Sequence, residues 1–316
     1  MCDCPKADGA LSKAELDSYC KKIKSAPRVI FHRYSHLDDA ACQWFLREVA
    51  QINGEFVFLP NDAIEINQEE GEIGLDVIAP GAVKGYQHSD GSYSSAFRFV
   101  VEVFFPDDCN EKRALEPLVK WVDGDDNTGS ATKAILGAEH DLIEIVGLTN
   151  QFHAYKSLYE SHGDAIINQR YGEQVLTPIY LHQLKYEEAC QTVVNNCNIY
   201  QDGVVGICLG HVPRVAQGYP QKILSEQAKD LDGRKPVIFL YRDPKMGLGM
   251  IRMIDDLRLD EPELQKFMSQ FNGAEWFFHP GGFMAACGSG TTPRNPDTIP
   301  VPTNELIQAL NNIYGG

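Results

Sequence analysis

Between Arg28 and Val49 the chain changes its hydrophobic period, and that change dictates a strand followed directly by a helix. Arg28-Val-Ile-Phe31 is a short β-rich run behind Pro27, and Asp39-Ala-Ala-Cys-Gln-Trp-Phe-Leu-Arg-Glu-Val49 repeats its apolar residues at helical spacing. Gly54 and a second strand, Phe56-Val-Phe-Leu59, follow. Strand, helix and strand in this order predict an α/β architecture. The residues joining the first strand to its helix are His32-Arg-Tyr-Ser-His36-Leu-Asp38-Asp39. Loops at the carboxyl ends of strands are where open α/β sheets bind ligands.

In that loop, ligand-type side chains fall close enough in sequence to converge on one ion without long-range closure. Imidazole and carboxylate together suit manganese, zinc or iron. Asp38 or Asp39 equally suits a cap on the following helix, and His32 a hydrogen-bonded core position. The spacing lacks the His-x-His-x-Asp-His run that a metallo-β-lactamase-type site needs.

Further along, Ser12-Lys-Ala-Glu15 matches a capping box and opens a helix over 12–24. Ile73-Gly-Leu-Asp76-Val-Ile78 reads as a strand entering a loop rich in Gly and Pro. Ser94-Ser-Ala-Phe97 starts an apolar helix that ends near Phe105, and Leu118-Val-Lys-Trp-Val122 runs into an acidic turn, Asp123-Gly-Asp125-Asp126-Asn-Thr-Gly129. Residues 130–197 are mainly helical by pattern. The period then changes again: Val204–Leu209 and Pro236–Tyr241 read as buried strands, and Gly249–Ile254 pairs with the latter across the Asp243–Gly247 turn. Asp260 is placed to cap a helix through Phe271, with Pro262 in its first turn.

At 316 residues two domains are expected. The boundary is placed near 198–202, giving domains of 1–200 and 201–316. Lys and Arg total 28 against 44 Asp and Glu, a net charge of -16, which opposes broad contact with a polyanion and disfavours long nucleic acid as a partner. A small phosphorylated molecule in a local pocket is still allowed. Nine cysteines at irregular spacing, several inside apolar runs, read as reduced buried thiols and not as a disulfide framework. No run approaches the length of a membrane span, and the N-terminus has no apolar secretory stretch, so a cytoplasmic protein is expected. The oligomeric state is open.

The segment from His32 resembles the first motif of the DHH phosphoesterase superfamily, the group of RecJ-like exonucleases, nanoRNases and manganese inorganic pyrophosphatases. That motif is a strand, His-x3-Asp-x-Asp, and a helix opening on small residues. His32, Asp38 and Ala40-Ala41 are in register; His36 stands where the family has its first Asp. Near the other end, Asn272-Gly-Ala-Glu-Trp-Phe-Phe-His279-Pro-Gly-Gly-Phe-Met-Ala-Ala-Cys-Gly288 is similar to the Gly-Gly-Gly-His-Pro-x-Ala-Ala-Gly signature of the DHH-associated C-terminal domain, with Phe277 and Phe278 replacing two glycines. Asp76 ends a strand as the family's bridging Asp does, but Val77-Ile78 follow it, so the Asp-His-His triplet is missing.

The resemblance implies an N-terminal parallel-sheet DHH-like domain and a smaller α/β DHH-associated domain, joined by helices. It implies Mn2+ or another divalent ion held by His32, His36, Asp38, Asp76 and Asp123, the last preferred over Asp125. Asp38 and Asp76 would act in catalysis, with His88 in place of one missing histidine. Arg252, His279, Gly281 and Gly282 would hold a substrate phosphate. The activity implied is metal-dependent hydrolysis of a small nucleotide or short oligonucleotide phosphate between the domains. The lost triplet keeps a second reading open, a catalytically degenerate protein that binds a phosphorylated metabolite.

Overall fold

Ser12 opens the first helix as its spacing dictates: its hydroxyl accepts from Glu15 N–H, and the Glu15 carboxylate accepts from the Ser12 backbone. In the computed structural model the described residues are 11–83, 94–137, 141–199, 205–216, 218–227, 236–271, 273–289 and 292–315. They form two compact units, Met1–Leu184 and Lys185–Gly316. The division falls inside a helix, upstream of the 198–202 segment where the hydrophobic period changes.

The first unit is built on a parallel sheet. Helix α1 (Lys13–Ser25) leads into β1 (Arg28–His32), α2 (Leu37–Trp44), β2 (Glu55–Leu59), β3 (Ile73–Leu75) and β4 (Ala82–Val83), with strand order β2-β1-β3-β4. Every pairing is parallel, Val29 lying opposite both Phe56 and Ile73. A central parallel strand is covered on both faces, and Val29 to His32 are all buried. All eight residues of α2 are buried. At its end the helix widens into a π-type turn, Phe45–Val49, where an unbroken α-helix to Val49 was expected from the apolar spacing.

Six helices follow: α3 (Ala96–Phe104), α4 (Asn110–Thr128), α5 (Ala131–Leu136), α6 (Asp141–Val146), α7 (Leu148–Leu158) and α8 (Asp164–Tyr171). The acidic segment from Asp123, read from sequence as a turn, is the last part of α4. Its end is set by Gly129 in the left-handed conformation, where the Gly129 N–H closes on Asp125 O. Polar residues at helical spacing on an open face resemble a turn in composition, which is why the sequence misled here. Trp44, Phe45 and Phe97 lie in the core formed by the sheet and these helices.

The second unit begins in α9 (Thr177–Val194) and carries a six-stranded sheet: β5 (Cys197–Ile199), β6 (Val205–Leu209), β7 (Ile238–Asp243), β8 (Gly247–Arg252), β9 (Phe277–Phe278) and β10 (Met284–Cys287). The order is β5-β6-β7-β8-β10-β9; β6 and β7 are parallel and every other pair is antiparallel. Alternation sorts the side chains. Ile238 and Leu240 point to a core shared with α11 (Pro262–Met268) and α12 (Thr303–Tyr314). Phe239 and Tyr241 point to one shared with α9 and α10 (Tyr219–Gln227). Glu261, not Asp260, is the cap position of α11, and the helix stops at Met268. Asp260 is occupied instead by Arg258, whose guanidinium holds its carboxylate.

Candidate metal centre

His32 closes β1, and Asp39 sits one turn into α2, so the loop between them folds back on itself. His32 Nδ1 lies 3.0 Å from Arg33 O. An Nδ1–H donated to that carbonyl leaves Nε2 facing inward, 3.1 Å from Asp39 Oδ2 and 3.7 Å from Asp76 Oδ2. The His36 ring stands edge-on to His32 with centroids 4.7 Å apart. One donor atom from each of His32, His36, Asp39 and Asp76 falls within 4.8 Å of the others. The backbone cooperates in strained form: Asp76 has φ 51° and Tyr34 φ 65°, both in the left-handed region.

The first-motif carboxylates divide their work. Asp39 Oδ2 accepts from His36 N–H at 2.7 Å, while the buried Asp39 Oδ1 has no hydrogen-bond partner among the described residues. Asp38 lies outside the four-donor cluster. Its two oxygens accept from the N–H groups of Ala96 at 2.9 Å and Phe97 at 2.8 Å. It therefore places a carboxylate at the positive end of α3. A buried oxygen without a donor, beside two imidazoles and a second carboxylate, fits a hard or borderline divalent ion.

Electrostatics point the same way. Hydrogen bonds to Asp39 and Asp76 push His32 up to about 11. Burial raises the carboxyls of Asp38 and Asp39, reinforced for Asp38 by the neighbouring Asp76, Asp126 and Asp39. Desolvation, with the nearby carboxylates of Asp76, Asp123 and Asp125, lifts Asp126 to about 6 although its side chain opens to solvent. The cluster holds more negative charge than one imidazolium offsets, so it calls for a further cation.

Asp126, and not Asp123, lines the open pocket of about 440 Å³ above His32, His36 and Asp76. Asp123 is engaged elsewhere: it accepts from Ser95 N–H at 2.9 Å and pairs with Arg98. The two stand about one turn apart on α4 but meet different partners, and assignment to a turn concealed that distinction. Arg33 and Tyr34 form the pocket's lip, the guanidinium lying 5.9 Å from the Tyr34 ring centroid. His88 lies outside the described residues.

The loop is pinned from behind by α7 and α8. Asp164 at the start of α8 accepts from Tyr34 N–H at 3.1 Å and Ser35 Oγ at 3.3 Å. Asn168 accepts from Ser35 Oγ at 2.9 Å, and Lys156 Nζ donates to Ser35 O at 2.8 Å. These partners sit more than a hundred positions away, and no local pattern marks them.

In the second unit, His279 Nδ1 accepts from Gly281 N–H at 3.0 Å, and its ring packs on Phe283 with centroids 4.0 Å apart. Gly282 has φ 69°, and a side chain there would meet Asp260 and Arg258 at about 3 Å. Arg258 bonds Pro280 O at 3.2 Å and so braces this loop. Arg252 turns its guanidinium to Leu257 O at 3.1 Å. Sequence reasoning picked Arg252 and passed over Arg258.

No protein-family model matches the chain, and no curated protein does. Among solved structures it is similar to RecJ from Thermus thermophilus in complex with Mn2+, at 11% identity and a TM-score of 0.28, over 98% of this chain and 56% of that one. The same protein in complex with Mg2+ gives 11% identity and a TM-score of 0.28, over 98% and 53%. The chain thus spans just over half the length of these RecJ chains. An uncharacterized protein from Helicobacter pylori is similar at 13% identity and a TM-score of 0.21, over 90% of this chain and 99% of that one. No helix among the described residues is long and apolar enough to cross a membrane.

Proposed function

We propose that the protein is a divalent-metal phosphoesterase of DHH type, manganese being the ion of choice, acting on a small nucleotide or short oligonucleotide phosphate. The observation that carries this reading is the convergence of His32, His36, Asp39 and Asp76 around the partnerless Oδ1 of Asp39. The first-motif spacing and the His279-Pro280 signature support it. A divalent ion bound there would supply the Lewis acidity that activates water near neutral pH and offsets charge on phosphoryl oxygens.

The chain's own groups supply the rest. His32, His36, Asp39 and Asp76 hold the ion, and the Arg33 carbonyl fixes the His32 tautomer. Asp126, with its carboxyl lifted to about 6, is placed on the wall to take a proton at neutral pH. Arg33, exposed at the lip, receives the phosphate as a planar fork. Arg252, His279, Gly281 and Gly282 are assigned to phosphate contacts in the second unit, and Asp38 acts by holding α3 in place.

The test is manganese binding followed by electron paramagnetic resonance, then hydrolysis of bis-p-nitrophenyl phosphate, dinucleotides and adenosine bisphosphate. Tight manganese with metal-dependent turnover is expected. Absence of bound metal after loading sinks the reading. Metal and ligand binding with no turnover of any substrate favours a degenerate binding protein, a reading supported by the withdrawal of Asp38 from the donor set.

A further inference from the structure

Cys197 and Cys208 face each other across the outermost strand pair of the second sheet, β5 against β6. Beside them Leu209 N–H donates to Asn196 O at 2.9 Å. This makes the cysteines a non-hydrogen-bonded pair, the antiparallel arrangement in which opposed Cα atoms come closest, about 4.5 Å. Such a spacing accommodates a disulfide without backbone movement. Their Sγ atoms are 2.7 Å apart, closer than unbonded sulfurs in ordinary contact. Both side chains are buried. The one cluster of three or more metal-type donors among the described residues lies elsewhere, so a metal does not account for the pair.

We propose that Cys197 and Cys208 are a redox modification site that closes to a disulfide when the protein meets a peroxide. The thiolate of Cys197, which keeps slightly more exposure than Cys208, attacks one peroxide oxygen. The O–O bond breaks, hydroxide leaves, and a sulfenic acid forms. The Cys208 thiolate then attacks that sulfur and expels the hydroxyl group. Two thiols and one peroxide give one disulfide and two waters, with the released protons taken up by the hydroxides.

The environment sets the pace. The contact with Cys197, with burial added, pushes the Cys208 thiol up, so its thiolate is scarce while the sheet is closed. Among the described residues β5 is the edge strand, paired with β6 on one side, and edges open before central strands. Oxidation is therefore slow, and the same burial shields the finished bond from reductants.

The experiment uses the full chain, incubated with hydrogen peroxide or with dithiothreitol, then alkylated under denaturing conditions. Trypsin releases residues 186–214 as one peptide that also contains Cys190, an internal reference. After peroxide this peptide is expected to carry a single alkyl group, on Cys190, and a bridge that costs it two hydrogens. Cleavage before Asp202 leaves two fragments joined until reductant is added. After dithiothreitol all three cysteines are alkylated. Equal alkylation of the three after peroxide, a bridge to Cys190, or conversion to sulfinic acid overturns the proposal.

Discussion

Two neighbouring carboxylates with opposite duties give the sharpest tests. Asp39→Asn removes a charge from the donor cluster, so manganese affinity should fall at least tenfold by electron paramagnetic resonance, while the metal-free protein keeps the bond from His36 N–H, which an amide oxygen still accepts, and loses the charge that faces His32. Asp38→Asn should act on stability with little effect on manganese affinity. It loses two charge-assisted bonds to Ala96 and Phe97, lowering stability by about 1.5–3 kcal/mol in denaturant titration even without metal. The sequence made both residues candidates and could not separate them: adjacent positions on a helix differ only in direction, and that is fixed by α3, whose position is not local information. His32 makes the site pH-dependent. Its folded pKa, about 11, lies above the ordinary 6.5, so its contribution is full below about 6.5 and is lost as pH rises towards 11. Asp126, lifted to about 6 from 3.8, also favours its protonated form in the folded state, so stability falls between about 4 and 6. In a chelator the melting temperature should therefore decline from pH 5 through 7 to 9, and manganese should reverse the trend above pH 7 because its ligands must be deprotonated. Manganese uptake at pH 7 should release about one proton, measurable by calorimetry in buffers of different ionisation enthalpy.

At the scale of elements, the strand-loop-helix that carries the site was legible because its two periods meet within a few residues. What holds that loop was not: α7 and α8 contribute single polar side chains with no periodic signature. Lys156→Met removes the donor to Ser35 O. Manganese binding should weaken severalfold while far-ultraviolet circular dichroism stays unchanged. The π-type turn Gly172–Leu176 that continues α8 depends on a close approach, since a Cβ on Gly172 would lie 2.8 Å from Trp44 Cβ. Gly172→Ala should cost about 1–3 kcal/mol through overpacking, read as a lower denaturation midpoint with an unchanged slope. Gly281 and Gly282 were singled out in the sequence through the family resemblance, as phosphate contacts. The Arg258–Asp260 pair that braces the turn was hidden because Asp260 offered a more obvious role as a helix cap.

For the whole molecule, each unit has its own hydrophobic core, and the donor cluster belongs entirely to the first. Differential scanning calorimetry should resolve two transitions, with manganese shifting one and leaving the other in place. The existence of two α/β units followed from length and the two changes of period. Their division inside α9 did not, because a continuous helix carries no compositional break. The net charge of -16 gathers partly around the donor cluster, so manganese affinity should weaken as monovalent salt rises.

The pair of amides that Asp38 engages makes the hidden side of the site observable. In a nitrogen-15 correlation spectrum, the Ala96 and Phe97 N–H resonances should lie downfield, as donors to a carboxylate do, and exchange slowly with deuterium because both residues are buried. Any change in the charge around Asp38 alters those two bonds first. A peptide signal at the start of a helix thus reports, without a label or a substrate, on the state of a carboxylate 58 residues earlier in the chain, next to the donor cluster.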